Sequence, residues 1–296
     1  METNYYQGNK QGESRKNRKR ENAYNPKLIA QPLAEEINNK LNLLLKSGHR
    51  YHFNIVNKLE HNIEVEANIH SARLEDEDSY KKYLCNKASR EIKNARKQFL
   101  AAMVFGFSNF KPGYINNDFI KQLAGIIEPS LSCSGGMQEF RTVGVRPSGA
   151  IHTPPYPEKI LYEMDEFLKE LNLFLLIAEE EKKNDNLIPA VEAALLAHFH
   201  LVRIHPFEDG NGRTSRLLQN IILRHYHIPP PIIYNGEKID YCERLENAIG
   251  GYLSRKGIYP DVSSEERSFY NYLASKINVS LDSVLEQLKS SKGAKR

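Results

Sequence analysis

The twelve residues HPFEDGNGRTSR, from His205 to Arg216, sit between two apolar helical patterns. Before them, Pro189 to about Ile204 carries Ala193, Ala194, Leu196 and Ala197, small and apolar residues that let neighbouring helices approach closely. After them a helix begins around Gly212, places Leu217, Leu218, Ile221 and Ile222 on one side, and is stopped by IPPP at 228–231. The turn Gly210, Asn211, Gly212 therefore opens onto a helix N-terminus. Backbone N–H groups there lack intrahelical partners, the helix dipole adds partial positive charge, and glycine lets an anion approach the backbone.

Side chains around the turn extend that reading. Arg213 and Arg216 are three residues apart and share a helix face, where planar donors suit phosphate oxygens. The combination points to a polyphosphate. Asp209, just before the turn, would be repelled by such a ligand unless a cation lay between them, and magnesium takes one or two carboxylates together with phosphate oxygens and water. His205 is the residue type whose ordinary pKa suits proton abstraction near neutral pH. Each feature alone is commonplace: a histidine or aspartate at a helix end is usually a cap, and arginines in a first turn are usually solvated. Their conjunction within twelve residues carries the chemistry. Phe207 reads as a core anchor for the loop and Pro206 as a stiffener.

Outward from this stretch the chain is mostly helical. A strongly amphipathic pattern spans Pro157 to about Lys182, with Ile160, Leu161, Met164, Phe167, Leu168, Leu171, Phe174 and Leu175 on one face. Earlier helical patterns run from Leu33 to Leu45 with Gly48 as a stop, from Phe53 to about Ala72, from about Ser79 to Phe105, and from Ile115 to Ile126. Two weaker ones cover 240–253 and 264–290. Between Pro129 and Pro155, glycines and prolines interrupt every helical period, and FRTVGVRPSGAIHT reads as a small β-hairpin in that loop.

Composition narrows the class. The 296 residues are 40% hydrophobic, enough to fill a sizeable core, and the formal net charge is +4. Much of that excess lies in Arg15, Lys16, Arg18, Lys19 and Arg20, so residues 1–30 read as a disordered basic tail with order starting near Leu33. Cys85, Cys133 and Cys242 are far apart and odd in number, which argues against a disulfide framework and a structural zinc site. No apolar run reaches the ~20 residues of a membrane span, and the N-terminus is too polar for a signal peptide. A cytoplasmic location is the default expectation, and an effector secreted without a cleaved signal would read the same.

HPFEDGNGRTSR matches the signature HxFx[D/E]GNGRxxR of Fic-domain proteins at every specified position. AHFHLVRIHPF also resembles the helix leading into that family's motif, and FRTVGV followed by PPYPEKI resembles its flap and the helix after it. The resemblance covers roughly residues 100 to 255. It implies an all-α fold, a Fic-fold helical bundle with a small β-hairpin flap and an N-terminal helical extension. It further implies that His205 deprotonates the target hydroxyl, that Asp209 holds Mg2+, and that Gly210, Asn211 and Gly212 form the anion hole for the α- and β-phosphates of ATP, with Arg213 and Arg216 on the phosphate chain. Thr142, Val143, Gly144 and Val145 resemble the flap that docks the target segment by strand addition. Upstream, NIEVEAN from Asn62 to Asn68 resembles the inhibitory [S/T]xxxE[G/N] motif, with Glu66 at the inhibitory glutamate and departures at Asn62 and Ala67. In the family that glutamate pairs with the second arginine of the motif, here Arg216.

The expected division is a tail at 1–30, a helical region at 31–99 with an inhibitory helix at about 55–72, a Fic domain at 100–255 and a helical extension at 256–296. The expected activity is transfer of AMP from ATP to a Ser, Thr or Tyr hydroxyl of a protein, this chain itself included, with autoinhibition by Glu66. Removal of AMP, or transfer of another nucleotide, would use the same site. A reading of a different class is a nucleic-acid-associated regulator that uses the basic tail and a nucleotide-sensing fold. No membrane partner is expected, nucleic acid is not the favoured partner, and a homodimer is compatible with the sequence.

Overall fold

The computed structural model describes residues 24–48, 90–147, 149–255 and 262–293. Eight α-helices order these residues: α1 (Gln31–Gly48), α2 (Arg90–Asn109), α3 (Asn117–Ile127), α4 (Pro157–Glu181), α5 (Ile188–Ile204), α6 (Asn211–His225), α7 (Lys238–Ser254) and α8 (Ser264–Gly293). The fold is all-α, and each of these helices falls where apolar periodicity places one. The sequence pattern at 53–72, the inhibitory helix expected at about 55–72 and Glu66 lie outside the described residues.

α5 is the axis of the bundle. Its sequence IPAVEAALLAHFHLVRI is apolar on all sides, and every residue but Val202 is buried. A helix of that kind must be surrounded. α4 and α6 flank it, α1 and α8 also reach it, and α2 and α3 pack on α6. Truncating Leu195, Leu196 or Leu201, each 0% exposed, to alanine would cost about 2–5 kcal/mol in lost transfer energy and cavity formation.

The polar residues of α5 survive burial because each has a partner. Glu192 accepts the backbone N–H groups of Leu28 at 2.6 Å and Ile29 at 3.1 Å and the hydroxyl of Tyr24. Residues 24–30, read from composition as tail, are thereby fixed against the bundle, with Leu28 and Ile29 buried. The signal missed was Leu28-Ile29, an apolar pair too short to show a period. His198 is held neutral, its pKa pushed down by burial to about 3. Its Nδ1 meets the Gln219 amide oxygen, an acceptor, so the proton sits on Nδ1 and Nε2 accepts the Tyr241 hydroxyl at 2.9 Å. One neutral tautomer thus ties α5, α6 and α7 together.

The expected β-hairpin is not present: no strand occurs among the described residues. The described residues between Phe140 and Tyr156 run as irregular loop for two reasons. The Arg141 N–H donates to the Pro206 carbonyl and the Arg141 guanidinium takes the Val143 carbonyl, so these groups serve the neighbouring motif instead of a ladder. Pro147, Pro154 and Pro155 remove three more donors.

Glu170 on α4 gives a pH-dependent contribution to stability. Burial is the main cause that raises its pKa from 4.5 to about 7, with Glu266 adding to the effect and Arg255 and Arg203 opposing it. A carboxyl whose folded pKa exceeds its unfolded value stabilises the fold fully below the unfolded value and loses that contribution as pH rises through the folded one. Glu170→Gln, which keeps the protonated form's shape, is therefore expected to raise Tm relative to wild type by several degrees at pH 8.5 and little at pH 4.5. Melting curves across that range check it, and a Tm difference independent of pH would refute the assignment.

Candidate active site

The site is built at the junction of α5 and α6. α5 ends at His205, which adopts the left-handed conformation (φ 52, ψ 55) and returns its N–H to the Leu201 carbonyl at 3.1 Å. Such a C-terminal position is usually given to glycine or asparagine. A histidine placed there accepts some backbone strain, as residues at functional sites do. Its Nδ1 lies 3.3 Å from the Val202 carbonyl. A carbonyl can only accept, so this contact places the proton on Nδ1 and makes Nε2 the basic nitrogen of the neutral ring.

The next residues are locked from inside. Phe207 is fully buried against Phe140, ring centroids 5.6 Å apart. Asn211, the first residue of α6 and 2% exposed, grips the Phe207 backbone twice: its Oδ1 accepts the Phe207 N–H and its Nδ2 donates to the Phe207 carbonyl, both at 2.9 Å. The Asn211 side chain is therefore a loop clamp. What it leaves at the helix start is backbone N–H. Gly210 precedes α6 with φ 79, a conformation that strains any residue carrying a Cβ, and its carbonyl accepts the Thr214 N–H at 2.8 Å.

Charged groups ring this helix end. The Asp209 carboxylate is largely exposed, with Oδ1 accepting the Gly210 N–H at 2.6 Å and Oδ2 3.4 Å from Arg213. Arg213 also donates to Glu128 at 3.1 Å. Arg216 is 7% exposed, deeper along the same helix face, and its charge is a secondary cause, after burial, of the lowered His198 pKa. Glu208, beside Asp209, is exposed to solvent.

Asp209 also fits a metal of one kind. Among the described residues no group of three or more His, Cys, Asp or Glu converges. A lone, hard carboxylate oxygen beside a phosphate-binding helix start suits magnesium, which draws its other ligands from phosphate and water, and does not suit zinc, which needs several protein ligands.

Three residues that sequence reasoning did not single out complete the site. Arg141, 3% exposed, spends its whole guanidinium on backbone carbonyls: Nε on His205 at 2.8 Å, one terminal nitrogen on Val143 at 2.9 Å and the other on Pro155 at 2.6 Å. Burial pushes its pKa below the usual arginine value. Gln138 reaches the Asp209 carbonyl at 3.3 Å. Glu128, at the end of α3, orients Arg213. An arginine inside the apolar run FRTVGV was the available signal for Arg141, whereas Glu128 and Gln138 carry none. Of the flap residues, Val143 is 54% exposed, and its carbonyl is the one that Arg141 holds.

Comparison with known proteins places this geometry. Residues 114–223 match the Fic/DOC family. The chain is similar to the protein adenylyltransferase Fic of Nematostella vectensis, 41% identical over 124 residues that cover 42% of this chain and 27% of the relative. The protein adenylyltransferase Fic of Aedes aegypti is 37% identical over 144 residues, covering 46% of this chain and 26% of the relative. The matched stretch thus spans about a quarter of each relative's length. Among solved structures, a Fic domain containing signaling protein from Bacteroides thetaiotaomicron aligns with TM-score 0.64 at 22% identity, covering 87% of this chain and 98% of that one. Fic-1 (residues 134–508) from C. elegans aligns with TM-score 0.63 at 22% identity, covering 88% and 74%. At that identity the structural likeness is one of fold.

Proposed function

We propose, for a chain whose residues 114–223 belong to the Fic/DOC family, that it is a protein adenylyltransferase moving AMP from ATP to a protein hydroxyl. The observation that carries this reading is the junction of α5 and α6. There a histidine with its basic Nε2 set by the Nδ1 contact, a helix start with glycine at its cap, two arginines and one carboxylate converge within a loop locked by Asn211 and Arg141. Adenylyltransferase relatives support ATP as the donor and a protein as the acceptor.

In this mechanism the N–H groups of Asn211 and Gly212 at the start of α6, joined by that of Gly210 once it leaves Asp209, bind the α- and β-phosphate oxygens, and Arg213 and Arg216 bind the outer phosphates. The acceptor hydroxyl approaches the α-phosphorus, and Nε2 of His205 takes its proton as the new O–P bond forms. The α–β bridging bond breaks and pyrophosphate leaves with the electron pair. His205 then gives its proton to solvent. Asp209 is the residue that would hold magnesium, whose charge offsets that of the phosphates when it is bound. Catalysis here rests on positioning and charge, both of which the locked loop supplies in advance.

The organisation that accompanies this reading is a helical N-terminal region, a catalytic core over about 100–255 and a helical C-terminal extension. No described helix is long and apolar enough to cross a membrane. Titration with ATP checks the metal assignment: magnesium is expected to tighten binding to wild type and to make no difference to Asp209→Ala. If Glu208→Ala lost the magnesium effect and Asp209→Ala kept it, the ligand would be Glu208.

A further inference from the structure

The loop that follows Arg141 has a second attachment, on a helix far along the chain. Oε2 of Glu246, on α7, accepts the N–H groups of Ile151 and His152 and lies beside His152 Nδ1, each at 3.0 Å. One carboxylate oxygen therefore gathers three donors from the C-terminal base of the loop, and the Glu246 side chain is 15% exposed. Gly250, one helical turn further on, is shaped to the same purpose. A Cβ there would lie 3.1 Å from Cε1 and 3.2 Å from Nε2 of the His152 ring, so an alanine would press the ring off its present seat by a few tenths of an ångström. Glycine is the poorest helix former apart from proline, and its place inside α7 calls for such a reason.

The loop is thus held twice. Arg141 ties its two ends together through the Val143 and Pro155 carbonyls. Glu246 holds Ile151 and His152, nearer the C-terminal end, on α7. Within the loop, Val143 is 54% and Ile151 72% exposed. The anchors differ in one respect: Arg141 also holds the His205 carbonyl, while these Glu246 contacts are all with the loop itself. A loop held this way stays in one place without a strand partner, since a preformed surface spares the ordering entropy that a mobile one loses on binding.

We propose that Glu246, with His152 and Gly250, is a positioning element for the acceptor protein, setting the loop residues 142–147 and 149–154 against α7 so that an incoming hydroxyl reaches His205. This rests on the adenylyltransferase reading. It assigns α7 a part in acceptor binding that is separate from nucleotide binding.

The test uses the full chain, ATP labelled at the α-phosphate, and lysate protein titrated as the acceptor pool. Glu246→Ala is expected to raise the half-saturating acceptor concentration about tenfold, the loss of a charge-assisted anchor, while ATP affinity and the rate at saturating acceptor stay within about twofold. Hydrogen exchange at 142–154 should quicken in the same variant. Gly250→Ala should act in the same direction without lowering Tm, because alanine favours the helix, which separates loop displacement from unfolding. Arg141→Lys should lower the saturated rate as well, through His205. Unchanged acceptor dependence in Glu246→Ala overturns the proposal whether or not exchange quickens, as the anchor would then be structural only. If neither the wild-type chain nor Glu66→Gly transfers any label, the adenylyltransferase reading fails instead, and exchange alone still judges whether Glu246 anchors the loop.

Discussion

Replacing His205 with alanine is expected to lower AMP transfer by about three orders of magnitude, the middle of the range for loss of a positioned general base, with ATP affinity nearly unchanged. The expectation follows from where each part of the residue is used. Its carbonyl is held by Arg141 and its N–H by Leu201, and both survive the substitution. Only the ring is lost, with its contact to the Val202 carbonyl, while the backbone N–H groups at the start of α6 stay in place. His205→Asn adds a control, because asparagine tolerates the left-handed conformation and so keeps the turn while removing the base. Transfer from α-labelled ATP and calorimetric titration, run on both variants, measure the two quantities. Equal loss of ATP binding and transfer would make His205 a structural cap.

Glu66→Gly is expected to raise transfer about ten- to a hundredfold, since charge-assisted hydrogen bonds between arginine and carboxylate are worth roughly 1.5–3 kcal/mol. Glu66 lies outside the described residues, and the prediction stands on the resemblance of NIEVEAN to an inhibitory motif and on the position of Arg216, 7% exposed on the first turns of α6. A carboxylate at Arg216 would occupy the place of the γ-phosphate and hold ATP with its α-phosphorus misaligned. Arg216→Ala should not imitate the activation, because it removes the phosphate contact together with the partner of Glu66. Equal, low transfer by Glu66→Gly and wild type, with both binding ATP, would leave Glu66 an ordinary helix glutamate.

The helices were legible because burial imposes a period. In α4 the sequence places Ile160, Leu161, Met164, Phe167, Leu168, Leu171, Phe174 and Leu175 on one face, and all are buried except Leu161, 57% exposed, which sits at the edge of that face. α5 shows no such face; small residues at Ala193, Ala194 and Ala197 signal only that neighbours approach closely, and its central place is visible only in the structure. The motif was legible because its residues are contiguous. What was hidden depends on contacts across long stretches of chain: Glu192 with residues 24–29, Glu128 with Arg213, Glu246 with Ile151 and His152. A glutamate on a helix reads as solvated until the fold brings a partner to it. The hairpin was misread for a related reason. FRTVGV has strand-forming residues, but strand propensity reflects the neighbours a segment finds, and here Arg141 and three prolines give the backbone other uses. Asn211 shows a finer limit: its place in the motif was plain, but the use of its side chain as a clamp on Phe207 needed coordinates.

In the proposed reaction the bond broken lies between the α- and β-phosphates, and the AMP moiety stays on protein. The decisive measurement is parallel incubation of wild type and Glu66→Gly with lysate protein, magnesium and ATP labelled either at the α- or at the γ-phosphate. Protein-bound label is expected from α-labelled ATP alone, with released pyrophosphate carrying the γ label and neither product from His205→Ala. Protein-bound γ label, or α label that stays in free nucleotide with both wild type and Glu66→Gly, would overturn that reaction.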